Sequence, residues 1–136
     1  MDRIVIVEDD MYLREELITT FRRAGYDAAA PDSFEQVEDG IASFSPKLVV
    51  LDVNLPGTSG YEICKKLKKR GSFPILILTA RDTLSDELTA LGLGADDFLT
   101  KPCHPDRLLA RAERLLKTYH KIRNIVQAGV LVLDTD

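Results

Sequence analysis

Leu48-Val49-Val50-Leu51-Asp52-Val53-Asn54-Leu55-Pro56-Gly57 is the stretch from which the fold can be read. Four consecutive apolar side chains without polar alternation are the pattern of a strand covered on both faces. The run ends on a carboxylate, Asp52. That placement matters, because open α/β sheets bind ligands just beyond the carboxyl ends of their strands.

Working outward, the same pattern recurs on either side. Ile4-Val5-Ile6-Val7 leads into Glu8, Asp9 and Asp10, and Ile75-Leu76-Ile77-Leu78, begun by Pro74, leads into Thr79. Helical spacing fills the intervals. Leu13, Leu17, Phe21 and Ala24 recur at helical spacing and stop at Gly25, a residue suited to the left-handed position after a helix. Ser33 and Gln36 fit a capping box for a second helix through Val37 and Ile41. Ile63, Cys64 and Leu67 mark a third, and Lys65, Lys66, Lys68, Lys69 and Arg70 lie near its C-terminal end, where the helix dipole favours cations. Leu84, Leu88 and Leu91 mark a fourth helix, closed by Gly92 or Gly94. Asp97–Thr100 reads as a short strand, and Pro105 opens a fifth helix with Leu108, Leu109, Ala112, Leu115 and Leu116 on its apolar face. With a weak strand near Asp27–Ala30, the order is (βα)5, a doubly wound α/β domain with a parallel sheet covered on both faces.

Composition agrees with one such domain. The chain has 136 residues, 45% apolar and 29% charged, with a net charge of −4. The overall charge argues against a dedicated nucleic-acid binder. It conceals an asymmetry, since residues 1–100 carry −7, residues 101–125 carry +5 and residues 126–136 carry −2. No apolar run reaches the ~20 residues of a membrane span. Two distant cysteines, Cys64 and Cys103, form neither a disulfide scaffold nor a zinc site and fit a reducing, cytoplasmic setting.

The strand ends therefore bring together Glu8, Asp9 and Asp10 after the first strand, Asp52 after the third, Thr79 after the fourth and Lys101-Pro102 after the fifth. Clustered carboxylates repel unless a cation neutralises them. An oxygen-rich set of this kind suits Mg2+, bound through carboxylates and phosphate oxygens. Lys101 adds a point charge and Thr79 a hydroxyl, so the set reads as a phosphoryl-transfer site with a carboxylate nucleophile. Asp10 reads as the cap of the following helix.

Ile6-Val7-Glu8-Asp9-Asp10, Leu51-Asp52-Val53-Asn54-Leu55-Pro56-Gly57, Leu78-Thr79-Ala80 and Gly94-Ala95-Asp96-Asp97-Phe98-Leu99-Thr100-Lys101-Pro102 together resemble the response-regulator receiver domain of two-component signalling. The resemblance covers residues 1 to about 120 in the family order and spacing. It implies a flavodoxin-like (CheY-like) fold with strand order 2-1-3-4-5. It implies that Asp52 accepts a phosphoryl group from a sensor histidine kinase, with Mg2+ held by Glu8, Asp9, Asp52 and the Asn54 backbone carbonyl. Lys101 would bind a phosphate oxygen, with a cis bond to Pro102. Thr79 and Phe98 match the family's switch pair, and Asn54 and Arg81 occupy positions that tune phosphoryl lifetime. Cys103 departs from the family, which usually carries an aromatic there, and reads as a small buried hydrophobe. Cys64 reads as core, and His104 and His120 as solvated.

The resemblance extends to the OmpR/PhoB type, whose receivers dimerise through a face matched here by Glu87, Asp96, Asp97, Arg107 and Arg111. The usual signs are exchanged between Glu87 and Arg107, so complementarity survives. Gly129–Asp134 alternates like the first strand of the winged-helix DNA-binding domain of that type. The expected organisation is a receiver over 1–119, a linker over 120–128 and the start of a truncated winged-helix domain over 129–136. Phosphorylation would then promote a homodimer, with DNA contacted only through the missing output domain and no membrane partner. Two other readings are a stand-alone receiver acting by protein contact and a phosphatase of the haloacid-dehalogenase type. The latter needs a second Asp two residues after the nucleophile as acid and base, where this chain has Asn54.

Overall fold

The computed structural model describes residues 2–71 and 73–127. Five strands form the main sheet: β1 (Arg3–Val7), β2 (Asp27–Ala29), β3 (Leu48–Leu51), β4 (Ile75–Thr79) and β5 (Asp97–Thr100). They pair in parallel in the order β2-β1-β3-β4-β5, the expected 2-1-3-4-5. Five helices alternate with them: α1 (Met11–Arg23), α2 (Val37–Ser43), α3 (Gly60–Arg70), α4 (Leu84–Gly92) and α5 (Pro105–Gln127). A two-residue ladder pairs Asn54–Leu55 with Thr58–Ser59 between β3 and α3.

The uninterrupted apolar runs are explained by two cores. Val5, Val7, Val49, Leu51, Ile75 and Ile77 pack on one face with Val37, Ile41, Ile63, Cys64, Leu67 and Phe98. Their neighbours Ile4, Ile6, Leu48, Val50, Leu76 and Leu78 pack on the other with Leu17, Ile18, Phe21, Leu108 and Ala112. Alternate side chains of a strand point to opposite faces, so each residue of a central strand needs to be apolar. Each fully buried Leu, Ile or Phe contributes about 1.5–3 kcal/mol, which makes these strands the rigid base of the site. The register pairs Val7 with Leu51, Leu51 with Ile77 and Thr79 with Thr100, so the residues that follow come out along one edge.

Most helix ends follow the sequence signals. The Asp10 carboxylate accepts from the Tyr12 and Leu13 amides and caps α1. Gly25 at φ +96° and Gly94 at φ +103° supply the left-handed turns that end α1 and α4, so Gly94 rather than Gly92 closes the fourth helix. The capping box expected from Ser33 and Gln36 does not form. Ser33 Oγ accepts from the Glu35 amide at 3.1 Å and closes its own turn, and α2 begins only at Val37, after Gln36 at φ +48°. A cap at Ser33 would have needed a helix starting at Phe34.

Four further differences concern element ends and surfaces. The second strand ends at Ala29, one residue early. Leu84, Leu88 and Leu91 mark α4 as expected, yet they are 68%, 60% and 42% exposed, and Ala90 is the buried residue of this helix. Lys68, within the basic run of α3, turns inward, where its ammonium bonds Asp96 at 2.8 Å and Tyr119 Oη at 3.1 Å. Helix α5 runs on to Gln127, so the segment expected as a linker is helical up to that residue, and the strand expected over 129–134 lies outside the described residues. Among the described residues no helix is long and apolar enough to cross a membrane.

Candidate functional site

The carboxyl edge of β1, β3, β4 and β5 gathers the predicted residues. Asp52 follows β3, and its amide bonds Val7 O at 3.0 Å, which fixes its height beside Glu8. Glu8, Asp52 and Thr79 are the buried polar residues of the chain's described part. Lys101 reaches in from beyond β5, anchored by its own amide on Thr79 O at 2.8 Å. Its ammonium bonds Asp52 Oδ2 at 2.8 Å and also pairs with Glu8 Oε1. The peptide bond from Lys101 to Pro102 is cis, as the resemblance implies. The other Asp52 oxygen accepts from the Asn54 amide at 3.2 Å, and Glu8 Oε2 accepts from the Asp9 amide at 2.9 Å.

The electrostatics divide the two buried acids. Burial pushes the Glu8 carboxyl up to about 7, against the lowering pull of Lys101 and with the Asp52 charge adding to it. Burial also disfavours charge on Asp52, but the Lys101 ammonium and the Thr79 hydroxyl outweigh it and hold this carboxyl below its usual range. For Lys101, burial works against the ammonium, and the bonds to Asp52 and Glu8 more than compensate, raising it. Of the two buried acids, Asp52 is thus the one held in its anionic form.

One carboxylate oxygen each from Glu8, Asp9 and Asp52 lies within 4.8 Å of the others. Glu8 and Asp52 are buried, while Asp9 is exposed and leaves one side open to water. Hard oxygen donors with an open, hydrated side are the donor set that Mg2+ accepts, so the residues present fit a divalent cation of this kind.

Both residues expected as a switch pair, Thr79 and Phe98, are buried. Thr79 is fully buried beside Asp52, and Phe98 is 8% exposed and packs into the core that also holds Ala90. Asn54 and Arg81 meet across the mouth of the site, with Arg81 Nε donating to Asn54 Oδ1 at 2.9 Å. The expected dimer face is only partly free. Asp96 is taken up inside the chain by Lys68, Tyr119 and the Ile75 amide, and does not point outward. Asp97 is paired with Arg111 at 2.9 Å. Glu87 and Arg107 line one shallow pocket with Phe98, Cys103 and Arg111, and neither has an ion-pair partner among the described residues. Cys103 is half-buried against the second core, its thiol facing His104 O at 3.6 Å. Cys64 is core, and burial pushes its thiol up to about 11. His104 is solvated, although its Nδ1 also accepts from the Asp106 amide at the start of α5.

Sequence reasoning did not single out Gly60, Tyr61 or Asp86. Gly60 opens α3 directly against the loop that follows β3, where a Cβ would stand 2.0 Å from Asp52 O and 2.6 Å from Val53 Cα. Nothing in a single sequence separates this glycine from those of ordinary turns. Asp86 was signalled by Thr83-x-x-Asp86, a capping pattern, and Thr83 Oγ1 does accept from the Asp86 amide at 3.1 Å. Tyr61 carried no signal.

A parallel sheet in this order, with acids, one hydroxyl and one ammonium at its carboxyl edge, defines a receiver-type signalling domain. The family model of the response regulator receiver domain matches residues 4–113. Response regulator MprA of Mycolicibacterium vanbaalenii is 42% identical over 116 residues, which are 85% of this chain and 50% of that protein. The two-component response regulator PhoP of Pseudomonas aeruginosa is 37% identical over 134 residues, 97% of this chain and 60% of that protein. Among solved structures, the BeF3-activated N-terminal receiver domain of Klebsiella pneumoniae RstA superposes with a TM-score of 0.79 at 32% identity. That superposition covers 85% of this chain and 98% of the other. The chain belongs to the response regulator receiver family of two-component signalling. It spans about half the length of the curated relatives it matches.

Proposed function

We propose that Asp52 accepts a phosphoryl group from the phosphohistidine of a sensor histidine kinase, and that the phosphorylated chain dimerises to control a DNA-binding output domain. The observation that carries this reading is the ammonium of Lys101 bonded to a buried, anionic Asp52 beside two further acids. An Asp52 oxygen attacks phosphorus, the P–N bond to the histidine breaks, and its electron pair returns to the imidazole. Lys101 and the Thr79 hydroxyl are placed to hold phosphoryl oxygens, and Asn54 orients the attacking carboxylate through its amide. Mg2+, held by Glu8, Asp9, Asp52 and the Asn54 carbonyl, would neutralise charge on the acids and the phosphoryl group. The only turnover in this reading is slow loss of the chain's own phosphate, so the domain is a cytoplasmic signalling module and not an enzyme with an external substrate.

Replacing Asp9 by Asn should weaken Mg2+ binding at least about tenfold, the scale on which even supporting residues change metal affinity. Isothermal titration calorimetry reads this directly, and an unchanged affinity would place the ion elsewhere.

Phosphorylation adds ~1.5–2 negative charges at the site and biases the Thr79–Phe98 pair between two arrangements. The buried Thr79 and inward Phe98 support the arrangement that the resemblance links to the phosphorylated form. The dimer face, of the OmpR/PhoB type, comprises Glu87, Asp97, Arg107 and Arg111 with the exposed leucines of α4 as its apolar part. Exposed ion pairs contribute little singly but set register between partners. With Mg2+ and beryllofluoride, Arg107→Glu should abolish the dimer in analytical ultracentrifugation. Combining it with Glu87→Arg should restore the dimer, and failure of the double variant to recover would break the proposed pairing. The 1–119 receiver, 120–128 linker and 129–136 winged-helix start belong to the same proposal, with residues 120–127 serving as a helical connection.

A further inference from the structure

Arg81 meets two neighbours of Asp52, Thr79 through its backbone and Asn54 through its side chain. Its backbone amide faces Thr79 Oγ1 at 3.4 Å, and its Nε donates to Asn54 Oδ1 at 2.9 Å. Asn54 in turn donates its amide to Asp52 Oδ1 at 3.2 Å. Two residues outside the known motif hold this guanidinium. Asp86, in the first turn of α4, pairs with Nη1 at 3.4 Å, and the Tyr61 ring lies 6.0 Å beneath Cζ. Tyr61 Oη donates to the same Asp86 oxygen at 2.9 Å, and Thr83 Oγ1 donates to its partner oxygen at 2.6 Å. Anchors from the β3–α3 loop, the start of α3 and the first turn of α4 therefore converge on one side chain.

An arginine that is 47% exposed would otherwise sample many rotamers. Exposed pairs of this sort add little to folding stability, so what the three anchors contribute is a fixed position for the charge. We infer that Tyr61 and Asp86 are positioning residues that hold Arg81 as a strap across the mouth of the acceptor site, and that this strap slows hydrolysis of phosphorylated Asp52. The inference rests on the phosphoacceptor reading above. In hydrolysis a water oxygen attacks phosphorus, the bond from phosphorus to the Asp52 oxygen breaks, and its electrons return to the carboxylate. The water proton has to leave as inorganic phosphate forms. Arg81 cannot accept that proton, and it occupies the Asn54 amide oxygen that would otherwise orient the water.

The test uses the chain of residues 1–136, phosphorylated with acetyl phosphate and Mg2+ and then freed of donor, with decay followed by intact mass. Tyr61→Phe keeps the ring under the guanidinium and removes only the bond to Asp86, and Asp86→Asn removes the charge and keeps the shape. Each should shorten the half-life about threefold to tenfold, the worth of one hydrogen bond. Neither should shorten it further once Arg81→Ala is present, whereas a merely structural role would add in that background. A second readout needs no phosphate: the Arg81 Nε–H resonance should be protected from water exchange in the wild type and lose that protection in both variants. Unchanged half-lives, additive shortening or an unaltered resonance would overturn the strap. A wild-type chain that takes up no phosphate overturns the phosphoacceptor reading and the rate role with it, and the resonance then reports separately on whether Tyr61 and Asp86 hold Arg81.

Discussion

Lys101→Met should slow phosphorylation of Asp52 by about 100- to 1000-fold, the usual effect of removing one preorganised donor from a site of developing charge. The ammonium is the sole cation bonded to Asp52 among the described residues, and it also pairs with Glu8. Methionine keeps the length and the packing of the stem but leaves two buried carboxylates side by side. Loss of one partner from a buried ion pair costs roughly 3–5 kcal/mol, because the remaining charge is left without compensation. Mg2+ supplies a replacement cation, and binding to the folded state stabilises it by mass action. Thermal unfolding with and without Mg2+ should therefore show a larger gain in the variant than in the wild type. A variant phosphorylated at the wild-type rate by acetyl phosphate would mean that Lys101 does not meet the phosphoryl group.

Gly60→Ala should lower stability by about 3 kcal/mol, the upper part of the range for overpacking. The new methyl would stand 2.0 Å from Asp52 O, 2.6 Å from Val53 Cα and 2.8 Å from Asp52 C, and all three are backbone atoms that cannot swing aside. Either α3 moves away or the acceptor loop does, and Gly60 N already bonds Val53 O at 2.9 Å. The change therefore also displaces Asp52, so phosphorylation should fall along with stability. Gly92→Ala is the control, since a Cβ there meets nothing within 4 Å and helix propensity favours alanine. If denaturant titrations found Gly60→Ala as stable as Gly92→Ala, the close approach of α3 to the acceptor loop would be wrong.

Much of the fold and site is legible in the sequence because central parallel strands leave a strong trace. Ile4–Val7, Leu48–Leu51 and Ile75–Leu78 need apolar side chains on both faces, and each ends at a residue whose place on the sheet edge is then fixed. The signals that misled were those with two physical meanings. Leucines at helical spacing mark a helix, but the same pattern arises whether the stripe faces the core or a partner, and on α4 it faces outward. A lysine run at a helix C-terminal end is accounted for by the dipole, yet Lys68 within it is drawn in by Asp96, which is thereby engaged inside the chain. Gly60 and Tyr61 act through close approaches to residues that lie apart from them along the sequence, and no local spacing encodes those distances.

The covalent fate of Asp52 decides whether this chain is a phosphoacceptor. The measurement is intact mass followed by peptide mapping after incubation with acetyl phosphate, with Mg2+ or with a chelator, for the wild type and Asp52→Ala. The predicted result is one phosphoryl group gained by the wild type only when Mg2+ is present, located on the peptide holding Asp52 and absent from the variant. A wild type that gains nothing, or an Asp52→Ala chain that gains the same group, would contradict it.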